Sequence, residues 1–234
     1  MVEYGQDLMR FLKSRDLEIP IDSTPGSKNY IQNPVRSVLV DWLKKVHESL
    51  HMSQACFHLA INVFDRFWKS QTIKLKELDL AGIVSLSLAA KYEETDPPPL
   101  KFFTQFHFPL AKLLSMERHI LTTLKFELSE PTVYSCLAQT CVILQVPSLI
   151  QTNCEHFLGL LLLNFDWLDK DAMKLAASIL LLCCKRAEEI ELAKRVLDRT
   201  RYLWGDLEQS MRLISKADSV IFNDENQATH LQLS

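Results

Sequence analysis

His47 and His51 stand four residues apart in a helical stretch, a spacing that can bring two imidazoles to one metal ion. No Glu follows the first His and no third ligand is evident, so the pair reads as ordinary surface histidines. The six cysteines (Cys56, Cys136, Cys141, Cys154, Cys183, Cys184) fall mostly on apolar helical faces, with no Cys-x-x-Cys spacing. They read as reduced thiols, which fits the cytosol or nucleus. Phosphate-cradling and nucleophilic constellations are missing too: there is no Gly-x-x-x-x-Gly-Lys loop, dinucleotide glycine fingerprint or nucleophile elbow. The expectation is a protein that is not an enzyme, with no metal and no cofactor.

Charge narrows the partners. A net charge of -3 and a pI near 6.2 give no overall attraction to phosphate backbones, so nucleic acid is not expected. Lys185, Arg186, Lys194, Arg195, Arg199 and Arg201 form a basic cluster, but Glu188, Glu189, Glu191 and Asp198 dilute it into a solvated helix face. The most apolar runs, Phe157 to Leu163 and Ala172 to Cys184, are shorter than the ~20 residues of a membrane span. Met1-Val2-Glu3-Tyr4-Gly5-Gln6-Asp7 lacks the basic head and apolar run of a secretory signal, so neither membrane insertion nor export is expected.

The elements that would position a site are helices. With 47% hydrophobic and 24% charged residues the composition is that of a folded globular chain, and only five glycines punctuate it. No segment alternates apolar and polar residues as a half-buried strand does, so the fold class is all-α. A short helix over Tyr4 to Arg15 precedes a loop with Pro20, Pro25 and Gly26. Pro34 opens a helix to Ser49, with Val35, Val38, Leu39, Trp42, Leu43 and Val46 on its core face. A second follows Ser53 to Lys69, and a third, Leu75 to Glu93, is apolar nearly all round and belongs at the centre of a bundle. Pro97, Pro98 and Pro99 stop it, a short helix covers Leu100 to Gln105, and Pro109 opens a fifth carrying Met116, Ile120, Leu121 and Leu124.

Pro131 restarts the pattern with helices over Pro131 to Leu144, Ser148 to Phe165, Asp171 to Arg186, a weaker one to Thr200, and Trp204 to Ala217. The run Ala176 to Lys185 echoes the small and apolar run ending at Lys91, as a degenerate repeat would. The expected organisation is an N-terminal helix and arm over 1–33, one five-helix bundle over 34–130, a second over 131–218, and a flexible tail over 219–234.

Five segments in order then resemble a cyclin box. They are Val35-Arg36-Ser37-Val38-Leu39-Val40-Asp41-Trp42-Leu43, Leu59-Ala60-Ile61-Asn62-Val63-Phe64-Asp65-Arg66-Phe67, and Leu88-Ala89-Ala90-Lys91-Tyr92-Glu93-Glu94 before Pro97-Pro98. Met116-Glu117 and Leu124-Lys125-Phe126-Glu127-Leu128 before Pro131-Thr132 complete the set. The resemblance covers Tyr4 to Glu130 well and is looser in the second half; the arm from Tyr4 to Leu17 resembles the helix preceding the box in mitotic A-type and B-type cyclins. The two bundles are thereby expected to be tandem cyclin boxes.

The resemblance implies an activator that docks the first box on the mobile C helix of a cyclin-dependent Ser/Thr protein kinase in cell-cycle control, in nucleus, cytoplasm or both. Lys91 and Glu117 match the family's paired charges, and Tyr92, Glu94, Leu121, Phe126 and Leu128 match positions that touch the kinase. Phe126 and Leu128 read equally well as core. Arg36 and Asp65 match a pair expected to bridge the first two helices, and Leu80 completes that set as a packing residue. Val35, Val38, Leu39 and Trp42 match an apolar groove that captures Arg-x-Leu substrate or inhibitor peptides. Here Lys45 stands where such grooves offer an acidic residue, and Asp79 where Gln is frequent, so an altered or weak groove is expected.

Thr24-Pro25 is a minimal proline-directed phosphorylation site. Arg36-Ser37-Val38-Leu39 and Arg118-His119-Ile120-Leu121 satisfy an Arg-x-x-Leu degradation pattern on predicted core helices, and a tail of mitotic length is not seen before Tyr4. The competing reading is a cyclin-box protein of another kind, resembling transcription factor IIB or a retinoblastoma pocket, which binds DNA or peptides without activating a kinase.

Overall fold

The computed structural model describes residues 34–70, 73–163 and 171–232, with backbone alone from 219 onward. The expected helix at Tyr4 to Arg15 and the arm lie outside the described residues. Every regular element among those described is helical. They divide between Glu130 and Pro131 into two compact units.

The first unit holds α1 (Pro34–Ser49), α2 (Gln54–Ser70), a 3-10 turn (Leu75–Glu77), α3 (Leu78–Glu93), a 3-10 helix (Leu100–Phe106) and α4 (Leu110–Thr123). Its centre is α3, where every residue from Leu78 to Ala90 is buried. Small and apolar side chains on all sides let neighbours close around it. At Gly82 an added Cβ would lie 3.1 Å from Leu43 Cδ1 and 3.3 Å from Leu39 Cδ1, so the missing side chain lets α1 cross α3 closely. The first turn of the predicted third helix tightens into the 3-10 turn, and the short fourth one is 3-10 throughout. Proline marks both later boundaries: Pro99 and Pro109 are the residues preceding the 3-10 helix and α4.

The second unit repeats the plan with α5 (Val133–Leu144), α6 (Ser148–Leu163), α7 (Ala172–Arg186), α8 (Ile190–Thr200) and α9 (Trp204–Gln232). Helix α7 is its enclosed centre, buried from Leu175 to Cys184. Thr132 and Ser135 form a reciprocal capping box at the start of α5. Asp171 caps α7 by accepting from the N–H groups of Met173 and Lys174 at 2.9 and 3.3 Å. Asp218 on α9 pairs with His156 of α6 and Arg186 of α7, each at 2.8 Å. Helix α9 does not stop near Ala217: no proline or glycine follows Gly205, and the segment expected as a flexible tail is helical in backbone as far as Gln232.

Candidate functional site

The C-terminal end of α3 and the outer face of α4 share a mixed polar and apolar surface. Lys91 Nζ donates to Glu117 Oε1, joining the last turn of α3 to the middle of α4. The Lys91 side chain is 41% exposed and that of Glu117 15%, so the ammonium is available to solvent while the carboxylate is largely held. Such a pair contributes little to folding, about 0 to 1 kcal/mol, but it leaves ammonium N–H donors and a second carboxylate oxygen with which to bind another chain.

Around the pair, α4 separates its faces by helical spacing. Leu113, Met116 and Ile120 are buried, whereas Leu110, Leu114, Glu117 and Leu121 recur on the other side. Leu110 and Leu114 are exposed and Leu121 is half-buried. Tyr92 is exposed at the end of α3. Leu114 was not among the sequence candidates, although its place three residues before Glu117 and seven before Leu121 marks the same stripe.

After α4 the chain turns through Lys125 and Phe126 with φ of 53° and 64°, both left-handed. Phe126 is 71% exposed, and Leu128 is half-buried. Phe126 is therefore surface and not core. Arg66 of α2 donates to the Glu127 carbonyl at 2.8 Å and pairs with Glu130 at 3.0 Å.

Glu94 is engaged within the chain. Its Oε1 accepts from the backbone N–H of Ser53 at 2.7 Å and from the Ser53 hydroxyl at 2.8 Å, tying the end of α3 to the start of α2. The same hydroxyl accepts from the Cys56 N–H at 3.2 Å, capping α2.

Two further sets lie deeper. Arg36 and Asp65 form a buried two-bond ion pair between α1 and α2. Burial pushes the Asp65 carboxyl up, and the Arg36 bonds pull against it. Leu80 is buried in the first turn of α3, consistent with a packing residue. Of the residues expected to line an apolar groove, Val35, Leu39 and Trp42 are buried, Trp42 meeting the Phe106 ring edge-on at 5.9 Å. Val38 is half-buried and Lys45 exposed. Asp79 is buried, its pKa raised by that burial, and its Oδ1 accepts the Leu80 N–H at 2.8 Å.

Among the remaining candidates, His47 corrects the surface reading. It is buried, with Nε2 2.8 Å from the Ser53 carbonyl and its ring 5.0 Å from that of Phe57. His51 is exposed. All six cysteines are buried free thiols, and burial raises Cys56 to about 12 and Cys141 to about 11, which suppresses the reactive thiolate. In the basic cluster Arg186 pairs with Asp218, Lys194 with Glu191, and Arg195 donates to the Leu144 carbonyl. Of the Arg-x-x-Leu segments, Arg36 and Leu39 are buried, whereas Arg118 is exposed and Leu121 half-buried. No helix among the described residues is long and apolar enough to cross a membrane.

Comparison with known proteins agrees with this architecture. The family model described as "Cyclin, N-terminal domain" matches residues 7–129, a little over half of the chain. A G2/mitotic-specific cyclin-B of Spisula solidissima is 25% identical over 235 residues, covering 99% of this chain and 55% of the relative. Cyclin-A1 of Carassius auratus is 36% identical over 143 residues, 58% of this chain and 36% of the relative. The chain spans about half the length of the curated relatives it matches, or less. Among solved structures, a viral cyclin from herpesvirus saimiri superposes with a TM-score of 0.67 at 17% identity, over 79% of this chain and 84% of that one. A chain of the CAK complex from Chaetomium thermophilum bound to ATP-γ-S gives 0.62 at 16% identity, over 92% and 70%.

Proposed function

The chain belongs to the cyclin family, where it is most like the mitotic A-type and B-type members, and from that premise we propose that it binds and activates a cyclin-dependent Ser/Thr protein kinase. The observation that carries this reading is the face of α3 and α4: a Lys91–Glu117 pair with its ammonium exposed and its carboxylate largely held, on the same unit as the exposed residues Tyr92, Leu114 and Phe126. Exposed aromatic and aliphatic groups near donors and acceptors are what a protein interface uses as anchors.

In this reading Lys91 and Glu117 bind backbone groups of the kinase C helix, while Tyr92, Leu114, Leu121, Phe126 and Leu128 bury apolar area against it. Docking turns that helix inward, so its Glu can pair with the strand Lys that holds ATP phosphates, and helps order the activation loop. The chain supplies binding free energy and no catalytic group. Glu94 fixes the end of α3 through its bonds to Ser53. The buried Val35, Leu39 and Trp42 support only weak capture of Arg-x-Leu peptides on this side of the box.

The test is a histone-type kinase assay with several cyclin-dependent kinases, comparing the wild-type chain with the folded Lys91→Ala, Glu117→Ala double variant. Stimulation by the wild type and its loss in the variant are expected. A well-folded wild-type chain that bound and stimulated none of them would end the activator reading for those kinases.

A further inference from the structure

We propose that Arg66 is a positioning residue for the docking surface, acting through the left-handed turn that carries Phe126. This inference rests on the kinase-docking reading and specifies how one part of that surface is held. Arg66 lies on α2 with its side chain only 16% exposed, and its guanidinium reaches the segment after α4 at two points. Nη1 donates to the Glu127 carbonyl at 2.8 Å, and Nη2 pairs with Glu130 at 3.0 Å. Glu130 is 54% exposed, so solvent weakens that pair and the carbonyl bond is the stronger hold.

Between α4 and these anchors sit Lys125 and Phe126, successive residues in the left-handed region. Neither is glycine, and in that region the Cβ of an L-residue crowds the neighbouring carbonyl. Local bonds close the turn: the Phe126 N–H donates to the Leu121 carbonyl at 2.8 Å and the Lys125 N–H to that of Thr122 at 3.2 Å. They end the helix in the usual way, but the residues they employ disfavour the conformation. Arg66 adds a restraint from a different helix, one residue beyond Phe126.

The turn delivers the most exposed large hydrophobic ring among the described residues. Bonds within the chain hold this strained backbone, and they leave the ring in solvent. A partner that buries the Phe126 ring accounts for both, because strain kept in the free chain presets the pose and lowers the ordering cost of binding. Arg66 thus contributes to kinase affinity without touching the kinase.

The experiment uses the full chain and a cyclin-dependent kinase that the wild type activates, comparing Arg66→Ala, Glu130→Ala, Phe126→Ala and the Arg66→Ala, Phe126→Ala double variant. Surface capture measures affinity, thermal melting checks folding, and limited trypsin digestion with mass spectrometry follows cleavage of the Lys125–Phe126 bond. Arg66→Ala is expected to bind about tenfold more weakly and to be cut faster after Lys125, and Glu130→Ala to stay within about twofold of wild type. The double variant should bind no worse than Phe126→Ala alone, a coupling that loss of general stability would not produce. Should Arg66→Ala not fold, Arg66→Lys keeps the charge, loses the fork, and should bind about threefold more weakly. Wild-type affinity in Arg66→Ala, or full additivity in the double variant, overturns the proposal. If the wild type binds no kinase, the docking reading fails, and the trypsin arm still decides whether Arg66 holds the turn: unchanged cleavage after Lys125 refutes it.

Discussion

Arg36 donates two hydrogen bonds to Asp65, Nε to Oδ1 at 2.8 Å and Nη2 to Oδ2 at 2.7 Å, where each side chain is 3% exposed. A guanidinium fork matched to a carboxylate fixes the angle and register between α1 and α2 in a way one contact could not. Removing one partner leaves the other charged and buried. Arg36→Ala should therefore cost about 3–5 kcal/mol in urea unfolding, while the joint change Arg36→Met, Asp65→Leu should recover most of that loss. Equal losses in the single and joint variants would show that the two-bond pair itself, and not an unpaired buried carboxyl, sets the cost.

Leu114 is 50% exposed, so its truncation should leave the fold intact. Leu114→Ala is expected to weaken kinase capture by about tenfold with a nearly unchanged melting temperature. Capture at wild-type strength would remove Leu114 from the docking face.

The Ser53–Glu94 bonds predict a coupled pair. Glu94→Ala and Ser53→Ala should each destabilise the first unit by about 1 kcal/mol, and the double variant should cost less than their sum. A denaturant series on the four chains checks this, with full additivity as the contrary result.

In the second unit the Tyr202 hydroxyl donates to Asp171 Oδ2 at 2.7 Å. That bond is the main reason the Asp171 carboxyl lies below its ordinary value of 3.8. A lowered carboxyl stabilises the folded chain above the unfolded value and loses that contribution as pH falls through the folded one. The melting temperatures of wild type and Tyr202→Phe should therefore differ at neutral pH and converge as pH drops below about 3.8. A gap that stays constant down to pH 2 would mean the ring's packing, not the hydrogen bond, sets the difference.

Helix boundaries set by local chemistry were legible in the sequence. Pro34 opens α1, and three-and-four spacing of Val35, Leu39, Trp42 and Val46 identifies its buried face. Features made by distant segments were less so. Trp42 is buried beside Phe106, some sixty residues on, so the exposure of a groove cannot be read from α1 alone. His47 and His51 look equivalent in sequence, but the turn at His51, with φ of 52°, leads into the segment whose Ser53 carbonyl and Phe57 ring meet His47. The Lys125–Phe126 turn gave no warning because its signal, a glycine, is absent. The family resemblance singled out Lys91 and Glu117, which pair across α3 and α4, and helical spacing alone marks the exposed Leu114 on the same face of α4.

The enclosure of α3 from Leu78 to Ala90 has a kinetic consequence. Amides wrapped on every side by other helices exchange with solvent only through the largest openings of a domain, so this segment should be among the last of the first unit to take up deuterium. Lys91 and Tyr92 continue directly from that segment, which makes the end of α3 an anvil: a partner striking it moves itself, while the helix beneath stays where folding left it.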